Sequence, residues 1–296
     1  MKILFKKILL STCLLTVCLQ ESKAQVNFYN MNKWQDSLVN LGKDMYRLKG
    51  EAERLEKNFA FVKTLVSSLK EKHSFIYTFD KLDMISIIQD PNDNFRIFSW
   101  HIALNDGSYL YYGAIQRKSK NGALELTPLL DKTFEIQNPE EEQTGLDYWY
   151  GAQYYDIIPI QDAYVLLGWK GHGPTYSQKV IEILHQDNGA FKLGKPVFSD
   201  NPKMARKIFR YTRQAAMYLK YHEAEQQIIF DHIVPADPSL EGSYEYYGPD
   251  LSFDAYKING ANLQFLEDIP FENPPRDEDD LNIVPGRAIP KKKSGL

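Results

Sequence analysis

Aromatic side chains crowd together between residues 148 and 175, where stacking on a ligand could be combined with charge and hydrogen bonding. The candidate ligand-binding residues in this stretch are Tyr148, Trp149, Tyr150, Trp169, Lys170 and His172. Aromatic faces beside polar groups can stack on a sugar while the polar groups bond its hydroxyls. The stretch therefore predicts a binding site for a glycan or for another protein. Alternating tyrosines are also typical of half-buried β-strands, so a purely structural role stays open.

Carboxylates offer a second chemistry. A polysaccharide hydrolase needs two carboxyl groups across one cleft and carries no short motif. Asp156, Asp231 and Asp250 are the first candidates for such a pair. The alternative to a binding or scaffold module is therefore a carboxylate-dependent hydrolase.

Motifs with a stricter spacing are incomplete. His222 and Glu223 begin a zinc-protease pattern, but Gln226 stands where the second histidine is needed. The segments that start at Asp90 and Asp250 begin like calcium loops, yet neither has the glycine at position 6 or the glutamate at position 12. No Gly-x-Ser-x-Gly elbow or phosphate-binding glycine loop is present. The sequence predicts a non-enzymatic protein without a metal or cofactor.

The first 24 residues have the order of a secretory signal peptide. Basic residues are followed by a short apolar stretch, and small residues Ser22 and Ala24 precede Gln25. A lipoprotein signal with Cys18 as the lipidated residue is the alternative. Cleavage after Ala24 would remove both cysteines, so the mature chain could form no disulfide. We expect an exported protein, periplasmic or secreted.

Composition narrows the classes of partner. The chain has 296 residues and a formal charge of −4, and loss of residues 1–24 would make that charge −7. An acidic balance argues against a nucleic-acid binder, which needs a basic surface. Outside the N-terminal segment no apolar run reaches the ~20 residues of a membrane span. We therefore expect no nucleic acid and no membrane span.

A helical leader is predicted over residues 25–72. Its apolar residues recur at alternating steps of four and three, as on one face of a helix. They are Trp34, Leu38, Leu41, Met45, Leu48, Ala52, Leu55, Phe59, Val62, Val66 and Leu69. Gly50 favours a break, which would turn one long amphipathic helix into a hairpin. A dimer through residues 32–69 is the other interpretation of this heptad stripe.

From residue 73 to 270 short β-rich runs alternate with turns such as Asn-Asp-Gly and Asn-Gly, which predicts a mainly β, antiparallel meander. Tyr109, Tyr164 and Tyr218 begin similar segments 55 and 54 residues apart. That period fits a propeller-like fold, closed by pairing of residues 73–88 with 252–266. A sandwich or a barrel is the alternative. Residues 271–296 are rich in proline and charge and predict a flexible tail.

Five segments also resemble uncharacterised exported proteins of Bacteroidota-type bacteria. They are residues 154–159, 166–171, 179–184, 229–232 and 246–250. The resemblance spans roughly residues 150–260 and implies an envelope location. It implies no catalytic residues, because none of its segments is tied to a chemistry.

Overall fold

The protein is mainly β in a computed structural model that describes residues 28–121 and 123–271. Fourteen strands in this part of the chain form three antiparallel sheets, and two α-helices precede them. This confirms the predicted mainly β class and antiparallel pairing. The predicted signal peptide and residues 272–296 of the predicted tail lie outside the described residues. Within the described ranges, neither helix has a stretch apolar and long enough to span a bilayer.

The two helices form a hairpin. Helix α1 spans Tyr29–Arg47 and helix α2 spans Glu51–Leu69. Gly50 caps the start of α2 with an extended backbone, at the position where the sequence predicted a break. Both helices pack through Leu38, Met45 and Leu65 into one core cluster with the first sheet.

The heptad stripe does not continue through the break. Leu38 and Met45 are buried in α1, as predicted, but α2 buries Phe61 and Leu65, which lie outside the stripe, together with Leu69, the last residue of the stripe. Phe59, which belongs to the stripe, is 72% exposed. The extended residues between the helices reset the phase, so each helix turns a separately chosen face to the core. The dimer through residues 32–69 stays a prediction.

The first sheet is a meander in the order β1-β2-β3-β4. Its strands are β1 (Ser86–Gln89), β2 (Phe95–Ala103), β3 (Tyr109–Arg117) and β4 (Glu125–Leu130). Phe98 and Trp100 of β2 face the helical hairpin, and the Trp100 indole donates to Asn58 Oδ1 at 2.7 Å. The hairpin is thereby fixed to one face of this sheet.

The second sheet has the order β5-β9-β8-β7-β6. Its strands are β5 (Thr144–Gly145), β6 (Gln153–Ile160), β7 (Ala163–Gly171), β8 (Tyr176–Asp187) and β9 (Ala190–Leu193). A further strand, β10 (Lys207–Thr212), pairs with residues 176–181 of β8 and with no other strand described. β10 is therefore an edge strand.

The third sheet is a second simple meander, β11-β12-β13-β14. Its strands are β11 (Leu219–His222), β12 (Gln227–Pro235), β13 (Tyr247–Asn259) and β14 (Asn262–Leu266). The β12–β13 register shifts between Asp231 and Ile233, so residues 250–252 of β13 bulge opposite His232. Leu251 in this bulge has a φ of +77°, which is strained for a leucine, and is 90% exposed. Bulges of this kind redirect nearby side chains.

Closure of the β body differs from the prediction. The sheets do not form a closed barrel, so the barrel alternative is wrong. Within the described residues β1 pairs only with β2, and the strands at 252–266 pair only within the third sheet apart from a single bridge at Leu263. The three repeated tyrosines do not occupy equivalent positions in their sheets. Tyr109 begins the third strand of its sheet, and Tyr164 lies in the second strand of the β6–β9 meander. Tyr218 precedes the first strand of its sheet.

Candidate ligand-binding site

A cavity of about 260 Å³ lies where the edge of β10 approaches the third sheet. Strands β12 and β13 also contribute lining residues, as does Tyr244 of the 3₁₀ turn Tyr244–Tyr246. The lining residues include five aromatic and five charged or ionisable residues. These are Phe209, Phe230, Tyr244, Tyr247, Phe265, Lys207, Arg210, Asp231, His232 and Asp254. The cavity thus combines stacking surfaces with groups that can bond or carry charge.

The edge of β10 contributes backbone polar groups. Residues 207–210 all line the cavity, and β10 pairs with β8 on its other side. In an edge strand, alternate N–H and C=O groups point away from the paired neighbour. The backbone groups of residues 207–211 make no hydrogen bond other than those to β8 within the described chain. A bound molecule with both donors and acceptors would therefore find partners along this edge.

A histidine–aspartate pair lines the cavity. His232 Nδ1 and Asp254 Oδ2 are 2.7 Å apart, and Asp254 is buried. The other oxygen of Asp254 accepts a hydrogen bond from the backbone N–H of Asp268 at 3.0 Å. The carboxylate raises the pKa of His232, because it stabilises the charged imidazolium by a hydrogen bond. Nε2 of His232 has no partner among the described residues, so this atom is available to a ligand.

Sheet register explains this pair. Asp254 is opposite Phe230, and His232 follows two residues later, so both side chains lie on the same face. Asp231 is opposite Phe253, and its carboxylate accepts from the Tyr218 N–H at 2.6 Å. The carboxyl groups of Asp231 and Asp254 therefore point to opposite faces of the sheet.

The two cations at β10 differ in their surroundings. Arg210 lies 5.2 Å from the Tyr244 ring and donates to Glu140 Oε2 at 3.3 Å. Lys207 lies over the Phe209 ring at 5.7 Å and has no acidic partner within the described part of the chain. Successive side chains of a strand point to opposite faces of the sheet, and Lys207 and Arg210 are three residues apart. Their side chains therefore lie on opposite sides of the β10 edge.

Three of the six residues predicted from the aromatic stretch lie in the core. Trp149 is fully buried, and its indole N–H donates to the Tyr154 hydroxyl at 2.9 Å. Tyr150 is also buried and donates to Gln178 at 2.9 Å. Lys170 is buried and donates to Thr133 Oγ1, Tyr150 O and Gly151 O at 2.6 to 2.8 Å. Burial lowers the pKa of Lys170 to about 7.

The other three predicted residues are nearer the surface. Trp169 contacts His101 and Tyr109, with ring centroids 5.0 and 5.5 Å away. His172 stacks on Tyr176 at 4.7 Å, and Tyr176 in turn meets Tyr244 of the cavity wall at 5.5 Å. Tyr148 is 44% exposed. None of the six residues lines the cavity, and the prediction that they bind a ligand stays untested.

The candidate carboxylates of a hydrolase are separated. Asp156 lies on β6 outside the cavity lining, where burial raises its pKa and Lys220 partly offsets the effect. Asp231 lines the cavity but its carboxylate is bound to Tyr218. Asp250 accepts from the backbone and hydroxyl of Ser252 at the rim of the bulge.

Of the two calcium-like segments, the one at Asp90 is a hydrogen-bonded turn and the one at Asp250 is the bulged part of β13. Asp90 accepts from the backbone N–H groups of Asn92 and Asn94, each at 3.1 Å. Asp250 bonds Ser252, and Asp254 bonds His232. In the described ranges, no group of three or more histidine, cysteine or acidic side chains could hold a metal ion.

Of the five charged or ionisable residues of the cavity, sequence reasoning missed four: Lys207, Arg210, His232 and Asp254. In the sequence, His232 belongs to a segment that carries only a resemblance, and Asp254 is position 5 of the incomplete calcium loop that starts at Asp250. The two residues stand 22 positions apart, and only the strand register brings them together.

No family model matches this chain, and neither a curated protein nor a solved structure is significantly similar to it. The resemblance to exported Bacteroidota-type proteins accordingly stays a prediction.

Proposed function

We propose that this protein is an exported envelope protein that binds a small saccharide in the cavity beside β10 and does not turn it over. The observation that carries the proposal is the meeting of aromatic faces with unpaired polar groups in one cavity. Sugar hydroxyls both donate and accept hydrogen bonds, and the β10 edge and the His232–Asp254 pair supply both kinds of partner. Tyr244 and Tyr247 supply faces on which a sugar ring can stack.

The cavity suits a short ligand. Its volume of about 260 Å³ is slightly below the ~300–1,000 Å³ of pockets that hold drug-sized molecules. One or two sugar rings, such as the end of a glycan chain, are therefore the proposed occupant. Another protein could bind at this site only by inserting a protruding side chain or the tip of a loop into the cavity.

The proposal includes export of the protein and a propeller-like arrangement of its sheets. The order of residues 1–24 supports export, and the lack of cysteine after residue 18 suits a domain that folds without disulfides. Three successive antiparallel sheets, each containing a four-stranded meander, support an open, propeller-like arrangement.

Screening the chain from Gln25 to Leu296 against a glycan array, followed by calorimetry on the hits, tests the proposal. Tyr244→Ala should weaken binding at least fivefold, because it removes a stacking face worth about 1 kcal/mol. Tyr246→Ala is the matched control, since Tyr246 belongs to the same turn, is 52% exposed and does not line the cavity. Absence of binding to every saccharide class would refute the proposal.

The second candidate function is hydrolysis of a polysaccharide. The hydrogen bond from His232 to a buried carboxylate favours it, because a histidine oriented in this way can act as a general base. Reducing-end release should then be detected with the screened glycans and be lost in Asp254→Asn. Release that is lost in Asp156→Asn, Asp231→Asn or Asp250→Asn would instead assign the reaction to those carboxylates.

A further inference from the structure

We propose that the saccharide bound beside β10 is anionic and that Lys207 binds its acidic group together with His232. The inference rests on the proposed function and names the class of ligand. Its basis is the charge on the cavity wall and the partners that each charged group already has.

Lys207 is the first element of the argument. Its ammonium group lies over the Phe209 ring and has no carboxylate partner in the described ranges. Five described lysines do have one, for example Lys192, which lies 3.0 Å from Asp187, and Lys118 beside Asp93. Lys207 differs from the other lysines without an ion pair because it lines the cavity. A cation held on an aromatic ring at the wall of a cavity is placed to meet a negative group of a ligand.

His232 is the second element. Asp254 accepts from Nδ1, which leaves Nε2 as the atom that can face a ligand. In the charged imidazolium both ring nitrogens donate, so Nε2–H can bond an anionic oxygen. Asp250 and Glu267 also act on His232, and both favour its charged form.

The acidic groups of the cavity are largely engaged. The Asp254 carboxylate accepts hydrogen bonds from His232 Nδ1 and the Asp268 N–H. The Asp231 carboxylate accepts one from the Tyr218 N–H on the opposite face of the sheet. Asp250, in the bulge of β13 outside the cavity lining, bonds Ser252. Arg210 also lines the cavity but lies on the opposite side of the β10 edge and pairs with Glu140 Oε2, so the inference rests on Lys207 and His232.

This local charge contrasts with the whole chain, which is acidic. An acidic protein repels acidic polysaccharides over most of its surface, so binding of an anion depends on the cations at one point. Carboxylate and sulfate groups on a sugar share the chemistry that Lys207 and His232 recognise.

Calorimetry on the chain from Gln25 to Leu296 with three trisaccharides tests the inference: one of uronic acids, one sulfated and one neutral. We expect roughly tenfold tighter binding of at least one acidic trisaccharide than of the neutral one, and weaker binding at higher salt. Lys207→Gln should remove most of that preference, and Lys207→Arg should restore it. Lys203→Gln is the matched control, because Lys203 is exposed and does not line the cavity.

The outcomes separate the two proposals. Equal affinity for neutral and acidic trisaccharides would overturn the inference and leave saccharide binding standing. An unchanged acidic preference in a folded Lys207→Gln variant would overturn it as well. Failure of all three trisaccharides, together with an empty glycan array, would remove the proposed function itself.

Discussion

The cavity beside β10 and the aromatic stretch at residues 148–175 contain nearly the same residue types but differ in how many of their polar groups are already hydrogen-bonded. Lys170 donates three hydrogen bonds inside the protein, whereas Lys207 has no acidic partner among the described residues. The Trp149 N–H is bonded to Tyr154, whereas Nε2 of His232 is not bonded to any described residue. Residue type therefore does not distinguish a core region from a binding site. The number of polar groups without a hydrogen-bond partner inside the protein does.

The largest effect should come from Trp149→Ala. Trp149 is fully buried between the first and second sheets, so its removal leaves a cavity and should cost about 3–5 kcal/mol of unfolding free energy. Denaturant unfolding measures this loss. Tyr148→Ala, next to it and exposed, should change stability by less than about 0.5 kcal/mol. A stable Trp149→Ala variant that fails to bind the ligand would instead place the site at the aromatic stretch.

The next effect concerns His101, which contacts Trp169 from the first sheet. Burial lowers its pKa to about 4, below the ~6.5 of an unfolded histidine. Between these values the unfolded chain binds a proton that the native chain does not, so stability falls as the pH falls from about 6.5 to about 4. The loss should reach about 3 kcal/mol.

Unfolding free energies at pH 7 and pH 4 measure the His101 effect. His101→Gln retains a side chain that can donate to Gln153, and its stability should fall less over the same range. An identical loss in the parent and in the variant would show that His101 is not the group responsible.

Lys170→Met should have a moderate effect. Tyr150 O would still accept from Thr133, but Gly151 O would lose its donor, and a buried carbonyl without a donor costs about 1–3 kcal/mol. Lys207→Met is the matched control, and its unfolding midpoint should be unchanged. Equal destabilisation by both substitutions would show that the two lysines are not distinguished by their partners.

The smallest effect should come from His232→Gln, and its pH dependence should have the opposite sign to that of His101. The pKa of His232 is raised in the folded state, so its stabilisation is complete below the unfolded pKa and is lost as the pH rises through the folded pKa. With the side chain 37% exposed, the amount should stay below about 1 kcal/mol. NMR titration of the imidazole checks the direction, and a pKa below 6.5 would contradict it.

Local features of the fold were predictable from the sequence. Asn-Asp-Gly and Asp-Asn-Gly segments lie at turns, where Gly107 and Gly189 adopt φ values of +86° and +79°. The break at Gly50 and the β6–β7 hairpin with its turn after Ile160 also follow from short-range chemistry. These elements depend on a few neighbouring residues, which the sequence displays directly.

Features that depend on distant residues were not predictable. The phase of α2 is set by contact with the first sheet, so Phe61 is buried and Phe59 is not. The His232–Asp254 pair depends on the register that places Phe230 opposite Asp254. No local signal fixes that register, and no local signal shows that β10 would lack a second neighbour.

The hydrogen bond between Asp254 and the Asp268 N–H connects the cavity to the end of the described chain. The Asp254 carboxylate accepts two hydrogen bonds, one from the Asp268 N–H and one from His232 Nδ1, and so links the end of the described chain to the imidazole. Phe271 anchors the same segment, with its ring 5.0 Å from that of Phe253. Detachment of residues 268–271 from β13 would remove one of the two hydrogen-bond donors to the Asp254 carboxylate. The electrostatic potential at the His232 imidazole would then change. Because such coupling is reciprocal, a ligand that favours charged His232 would also make this end of the chain harder to pull away.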